Sequence, residues 1–139
     1  MTPKQYLQQA FYLDQAIENK IEQVDAWNQL ATKMTMTYSN LPKSKHYRPT
    51  SFEDTLIKII EMQEEINQDI DRLVDLKLEI KDCILKLKDK EAQVVLEKRY
   101  LCFKKWEEIA VEMNFDTRQV FRIHNRGLQA LDRRGLTCQ

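Results

Sequence analysis

Residues 106–131, WEEIAVEMNFDTRQVFRIHNRGLQAL, decide the predicted fold of the C-terminal part of the chain. Apolar residues at helical spacing predict one helix before Asn114 and another after Asp116. Asn114 stands where the chain needs a left-handed residue, and asparagine adopts that conformation more easily than most residues. Asp116 is suited to cap the second helix, and Gln119 completes a capping-box pattern. The stretch therefore predicts a helix, a tight turn and a second helix, which is typical of a DNA-binding helix-turn-helix.

The second of these helices, predicted over residues 117–133, has an apolar face and a basic face. Arginine can donate hydrogen bonds to two atoms of guanine, and asparagine and glutamine can form two hydrogen bonds with adenine. Threonine or phenylalanine can contact the thymine methyl group. We therefore predict that the residues contacting bases are Thr117, Arg118, Phe121, Arg122, Asn125 and Gln129. The residues expected to hold phosphates are Lys104, Lys105, Gln119, Arg126, Arg133 and Arg134. The competing interpretation is an ordinary solvated basic helix, and the turn and cap favour DNA binding over it.

Two long helices are predicted upstream, joined by a loop over residues 40–50, NLPKSKHYRPT. In the first, apolar residues at spacings of three and four form a face that only Lys20 interrupts. In the second, a heptad-like seam consists of Phe52, Leu56, Ile59, Gln63, Ile66, Ile70, Leu73, Lys77, Ile80, Ile84 and Leu87. We predict an all-α fold in which residues 1–90 form a long two-helix hairpin or coiled coil that mediates oligomerisation. Residues 91–139 would form a small helix-turn-helix domain.

A hairpin of only two helices has a thin core, because each helix covers one side of the other. The apolar residues that would stay partly exposed are Ile21, Leu30, Ile57, Ile60, Leu76 and Leu78. We therefore expect a second copy of the chain to cover them, in a homodimer or a larger bundle.

The composition argues against several classes of protein. The formal net charge is zero, but residues 115–134 carry five arginines against two aspartates, so basic charge is concentrated where DNA contact is predicted. The sequence contains no Gly-rich phosphate loop, no H-E-x-x-H and no C-x-x-C, so we expect neither an enzyme nor a metal site nor a cofactor. It has no signal-peptide pattern and no apolar run of about 20 residues, so we expect a cytoplasmic protein that does not enter a membrane.

Several of these residues carry a resemblance to region 4 of bacterial sigma-70 factors. They are Glu108-Ile109-Ala110, the Asn114 turn, Val120-Phe121-Arg122-Ile123 and Leu128 through Leu131. The whole chain also resembles small phage and prophage proteins of Gram-positive bacteria, through KQYLQQAFYLDQAIENKI, EINQDIDRLVDLKLEI and the C-terminal third. This resemblance implies a phage transcriptional regulator in a bacterial host cell. Phe121 departs from the polar or basic residue usual at that position, so recognition of the promoter −35 element is not implied.

We expect a dimeric, sequence-specific regulator that binds double-stranded DNA, with host RNA polymerase as a further possible partner. A second hypothesis is an assembly or DNA-packaging oligomer similar to small terminase subunits, which also combine a helix-turn-helix with an oligomerising helical part. A third is an RNA-polymerase-binding module whose arginines face protein instead of DNA. Oligomeric state and sequence selectivity distinguish the three.

Overall fold

The computed structural model describes residues 1–40 and 50–135, with side chains described for residues 1–36 and 52–135. These residues form five helices and no strand, which confirms the predicted all-α fold with a long N-terminal helix pair. The helices are α1 (Pro3–Asn40), α2 (Thr50–Leu85), α3 (Lys90–Tyr100), α4 (Trp106–Met113) and α5 (Thr117–Arg133). The predicted loop over residues 40–50 lies almost wholly outside the described residues.

The chain divides into two compact units. The paired-helix unit comprises residues 15–71, and the C-terminal unit comprises residues 1–14 together with the chain from residue 72 onward. These units do not coincide with the predicted domains, 1–90 and 91–139, because the first turns of α1 and the last turns of α2 contribute to the C-terminal core. The predicted boundary between residues 90 and 91 stays a prediction.

In the paired-helix unit, α1 buries the face that the sequence predicted, with Ile17, Val24 and Ala31 almost fully covered. Lys20, the one interruption of that face, forms an ion pair with the buried Asp69 of α2 at 2.5 Å. Nearer the other end of α1, the Thr55 hydroxyl of α2 contacts the Met34 sulfur at 3.9 Å. The two contacts occur in opposite order along α1 and α2, so these segments are antiparallel, as predicted.

The packed face of α2 differs from the predicted seam between residues 52 and 73 and agrees with it towards the C-terminal end, where Lys77 is half-buried and Ile84 is buried. The members spaced by seven residues are buried or half-buried in the structure, and they are Phe52, Ile59, Ile66, Leu73, Ile80 and Leu87. Between them, however, Met62 and Asp69 are covered, whereas Gln63 and Ile70 are exposed. The sequence allowed either set, because both a spacing of three and a spacing of four continue a helical face. The set containing Asp69 is the one that places a carboxylate opposite Lys20.

Two adjoining apolar clusters form the core of the C-terminal unit. The larger one combines the first turns of α1 with the end of α2, α3 and α5, and its buried members are Tyr6, Leu7, Ala10, Ile80, Cys83, Ile84, Leu87, Leu96, Tyr100 and Leu131. The smaller one holds α3, α4 and α5 together through Ala92, Val95, Ile109, Ala110, Val120 and Ile123. The three short helices therefore rest on the ends of the long pair, a support that the sequence analysis did not predict.

Candidate nucleic-acid interface

The turn between α4 and α5 has the predicted geometry. Asn114 is left-handed, with φ 60° and ψ 39°, and its amide donates to the Ala110 and Val111 carbonyls at the end of α4. The Asp116 carboxylate accepts a hydrogen bond from the Gln119 amide at 2.7 Å and so caps α5. Phe115, between them, packs against the smaller apolar cluster. The backbone hydrogen-bonding groups at both ends of the turn thus have partners within the turn itself. These hydrogen bonds fix the direction in which α5 leaves α4.

Gly127 allows α5 to approach α3 closely. A Cβ atom at this position would lie 3.0 Å from the Leu96 Cδ1 atom and 3.2 Å from the Ala92 Cβ atom, both closer than ordinary van der Waals contact. Leu96 and Ala92 are fully buried, so neither has free space to move into. Packing against α3 therefore fixes which face of α5 points outward.

The predicted base-contacting residues share the exposed face of α5. Thr117, Arg118, Phe121, Arg122, Asn125 and Gln129 are all exposed. Within residues 1–40 and 50–135, no ion pair or hydrogen bond engages the side chains of Arg118 and Arg122. An exposed guanidinium keeps all five of its N–H donors available. The structure therefore brings the predicted stripe together on one exposed surface.

The predicted phosphate-holding residues fall into two groups. Lys104 forms an ion pair with Glu112, and Arg126 forms one with Asp89, with Glu91 as a second partner at 3.9 Å. The Arg126 guanidinium holds the pKa of Asp89 below its usual range. The other group consists of Lys105, Arg133 and Arg134, which are exposed, and Gln119, which is half-buried. The ion pairs were not apparent from the sequence because one joins the segment before α4 to the end of α4, and the other joins the N-terminal end of α3 to α5.

An aromatic cluster behind the exposed face was missed by the sequence analysis. The Trp106 ring lies 4.9 Å from the Phe121 ring and 4.7 Å from the His124 ring, centroid to centroid. The Arg99 guanidinium lies 4.5 Å above the Trp106 ring, which is the geometry of a cation–π contact. The cluster therefore connects α3, α4 and α5 just beneath the stripe.

His124 is the buried polar member of this cluster. Its Nε2 atom lies 2.6 Å from the Tyr100 hydroxyl, and only 5% of the residue is exposed. Burial lowers the pKa of His124 to about 4, and it raises the pKa of Tyr100 to about 12. His124 follows Val120 by four residues and so shares the inward face, and this spacing is the sequence signal that could have placed it.

Comparison with known proteins identifies a family for this chain. The sequence model of a family described as "Protein of unknown function (DUF1492)" covers residues 48–132, which includes α2, α3, α4 and all of α5 except its last residue. No curated protein and no solved structure matches the chain. Among the described residues, no group of three or more metal-ligating side chains is found, and no helix is long and apolar enough to cross a membrane.

Proposed function

The chain belongs to the DUF1492 family, whose description assigns no function, and from the geometry of its own C-terminal helices we propose that it is a sequence-specific DNA-binding transcriptional regulator. The observation that carries this proposal is the exposed stripe on α5. Arg118 and Arg122 lie on it without a partner among the described residues, next to Asn125 and Gln129. The three-residue turn and its cap hold α5 in a fixed direction, and a basic helix whose only role is to face water has no need of such a turn.

In the proposed complex, α4, the turn and α5 act as a helix-turn-helix, with α5 in the major groove. That groove is about 12 Å wide and admits one α-helix. Arg118 and Arg122 each match the two acceptors of a guanine, O6 and N7, and Asn125 and Gln129 match adenine. The N-terminal turns of such a helix enter the groove most deeply, and Arg118 and Arg122 lie there.

Phosphate contacts would fix the position of α5 in the groove. Lys105 and Arg133 are suited to this role because both are exposed and neither has an ion pair among the described residues. Arg126 and Lys104 would have to break their ion pairs with Asp89 and Glu112 before binding a phosphate. We therefore assign the main phosphate contacts to Lys105 and Arg133, and a secondary role to Gln119, Arg126, Arg134 and Lys104.

We further propose that the protein acts as a homodimer. Within the paired-helix unit, α2 leaves Leu56, Ile57, Ile60 and Ile70 exposed, and α1 leaves Leu30 exposed. Leu56, Ile57 and Ile60 lie within about one turn of α2, and exposed apolar side chains that are close together commonly mark a protein interface. A dimer would carry two copies of α5 and read two half-sites. Light scattering at micromolar concentration should give a mass of about twice 16.7 kDa, and a monomer would contradict this part of the proposal.

A contact with host RNA polymerase is a second candidate, favoured by one observation on α4. Val111 is 81% exposed, although valine is among the residue types that are most often buried. It shares a shallow surface with Glu107 and Glu108, whose charge would repel DNA phosphates. A protein surface that is apolar and basic would fit there. In this reading α5 binds DNA while α4 faces the polymerase.

Selection of bound fragments from genomic DNA tests the main proposal. The wild-type protein should enrich one short motif, and the double variant Arg118→Ala/Arg122→Ala should lose that enrichment. The matched control is Lys33→Ala/Lys58→Ala, which removes the same charge from two exposed positions of the paired-helix unit and should enrich the same motif. No enrichment by the wild type would contradict the proposal. A ring of many chains that binds only a phage packaging site would favour the packaging hypothesis, and the phage role itself rests on resemblance.

A further inference from the structure

Phe121 is a partly exposed aromatic residue on the surface that we assign to DNA. Its side chain is 42% exposed, whereas Val120 and Ile123, its neighbours on the inward face, are fully buried. Phe121 is outside both buried clusters of the C-terminal unit. The exposed part of the ring is therefore available to an external group.

The Phe121 ring is also held in place from behind. It is tilted by 56° against Trp106, with the ring centroids 4.9 Å apart. Trp106 is itself fixed by the Arg99 guanidinium on its face and by the buried His124. Contacts of this kind restrict the rotation of an aromatic side chain, so the ring loses little conformational freedom when it binds.

The position of Phe121 along the helix places it beside the polar stripe. With about 100° per residue, Phe121 is roughly 40° from Asn125 and about 60° from Arg118 around the α5 axis. A base read by Asn125 or Arg118 would thus have the ring next to it. Among the groups that the four bases present in the major groove, only the C5-methyl group of thymine is apolar.

We infer that Phe121, supported by Trp106, is a specificity-determining residue that reads the methyl group of one thymine in the target site. The inference rests on the proposed DNA-binding function and adds to it the identity of a base. The physical driving force is burial of a methyl group against an apolar ring in a groove where the other contacts are polar. Loss of one buried methyl or methylene group corresponds to a weakening of about fourfold.

The experiment replaces the thymines of the selected motif by uracil, one at a time. Uracil pairs as thymine does and lacks only the C5-methyl group. Dissociation constants are measured by fluorescence anisotropy at one fixed salt concentration, since protein–DNA affinity depends strongly on salt. The wild type should bind one uracil-containing duplex about fourfold more weakly than the parent and the other duplexes unchanged.

Three variants connect this effect to Phe121. Phe121→Ala should weaken binding to the parent duplex and abolish the difference between thymine and uracil at the sensitive position. Phe121→Leu keeps an apolar side chain, so it should retain part of that difference, about twofold, even if the alanine variant is poorly folded. Arg133→Ala should weaken binding to both duplexes equally and leave their ratio near fourfold, because a phosphate contact does not distinguish the two bases.

The outcomes separate this inference from the proposed function. A selected motif without any uracil-sensitive thymine would overturn the inference and leave DNA binding intact. An unchanged thymine-to-uracil ratio in Phe121→Ala and Phe121→Leu would do the same, and would indicate that the ring contacts something else, such as a protein partner. Absence of any selected motif would overturn the proposed function and this inference with it.

Discussion

Acidification from pH 7 to pH 5 should destabilise the C-terminal unit through one residue, His124. The imidazole is buried, its Nε2 atom lies 2.6 Å from the Tyr100 hydroxyl, and burial is the main reason why its pKa is lowered from 6.5 to about 4. The charges of Lys4 and Arg99 act in the same direction. The unfolded chain therefore binds a proton at this residue at a higher pH than the folded protein does.

The sign and size of the effect follow from that difference in pKa. Between pH 6.5 and pH 4 the unfolded state binds more protons, so stability is present above pH 6.5 and is lost as the pH falls. From pH 7 to pH 5 the contribution of His124 should fall by about 2 kcal/mol, and by about 3 kcal/mol once the pH is below 4. Carboxylates elsewhere begin to titrate in the same range, so the effect must be isolated with a variant.

Urea denaturation at pH 7, 6 and 5 measures the effect, with Trp106 fluorescence as the probe in a Trp27→Phe background. Trp106 suits this purpose because it lies 4.7 Å from the His124 ring, and the chain contains two tryptophans. His124→Gln keeps a polar side chain without a titrating group. The wild type should lose about 2 kcal/mol more than this variant between pH 7 and pH 5. Equal losses in the two proteins would refute the reasoning.

Three further predictions concern single contacts of the fold. Gly127→Leu should lower the free energy of unfolding by about 3 kcal/mol, because the new side chain has no space between Leu96 and Ala92. Urea denaturation measures this change, and an unchanged free energy of unfolding would exclude the close approach of α3 and α5. Asn114→Gly should be tolerated, whereas Asn114→Val should destabilise the fold by about 1–2 kcal/mol, because a β-branched residue is strained at φ 60°. Thermal denaturation followed by circular dichroism compares the two variants, and equal melting temperatures would contradict the left-handed turn. Lys20→Met should lower the melting temperature more than Lys20→Met/Asp69→Leu does, because the single change removes the Lys20 ammonium group from the buried Asp69 carboxylate. The reverse order would argue against the ion pair.

Local features of the fold were predictable from the sequence because their causes are local. The bounds of α5 agree with the expected range, since the Asp116 carboxylate caps the helix by accepting from the Gln119 amide, three residues further along the chain. The left-handed Asn114 was also predictable, because few residue types adopt that conformation. The inward and outward faces of α5 followed from helical periodicity alone.

Features that depend on which helices meet were not predictable in the same way. The spacing along α2 allowed two seams, and the pairing of Asp69 with Lys20 on another helix distinguishes them. The ion pair between Arg126 and Asp89 likewise depends on where α5 crosses α3. The short helices also pack against the ends of α1 and α2. This tertiary contact joins distant parts of the chain, so neither a periodic spacing nor a motif in the sequence indicates it.

The central claim, that α5 reads bases, is tested most directly by a panel of duplexes in which each base pair of the selected motif is changed in turn. Binding of the wild type, Arg122→Ala and Arg133→Ala is measured across this panel at several salt concentrations. Arg122→Ala should lose about 1–3 kcal/mol and its discrimination at one base pair, whereas Arg133→Ala should weaken every duplex similarly and reduce the salt dependence. Equal losses for both variants on every duplex would contradict the assignment of α5 as the base-reading helix.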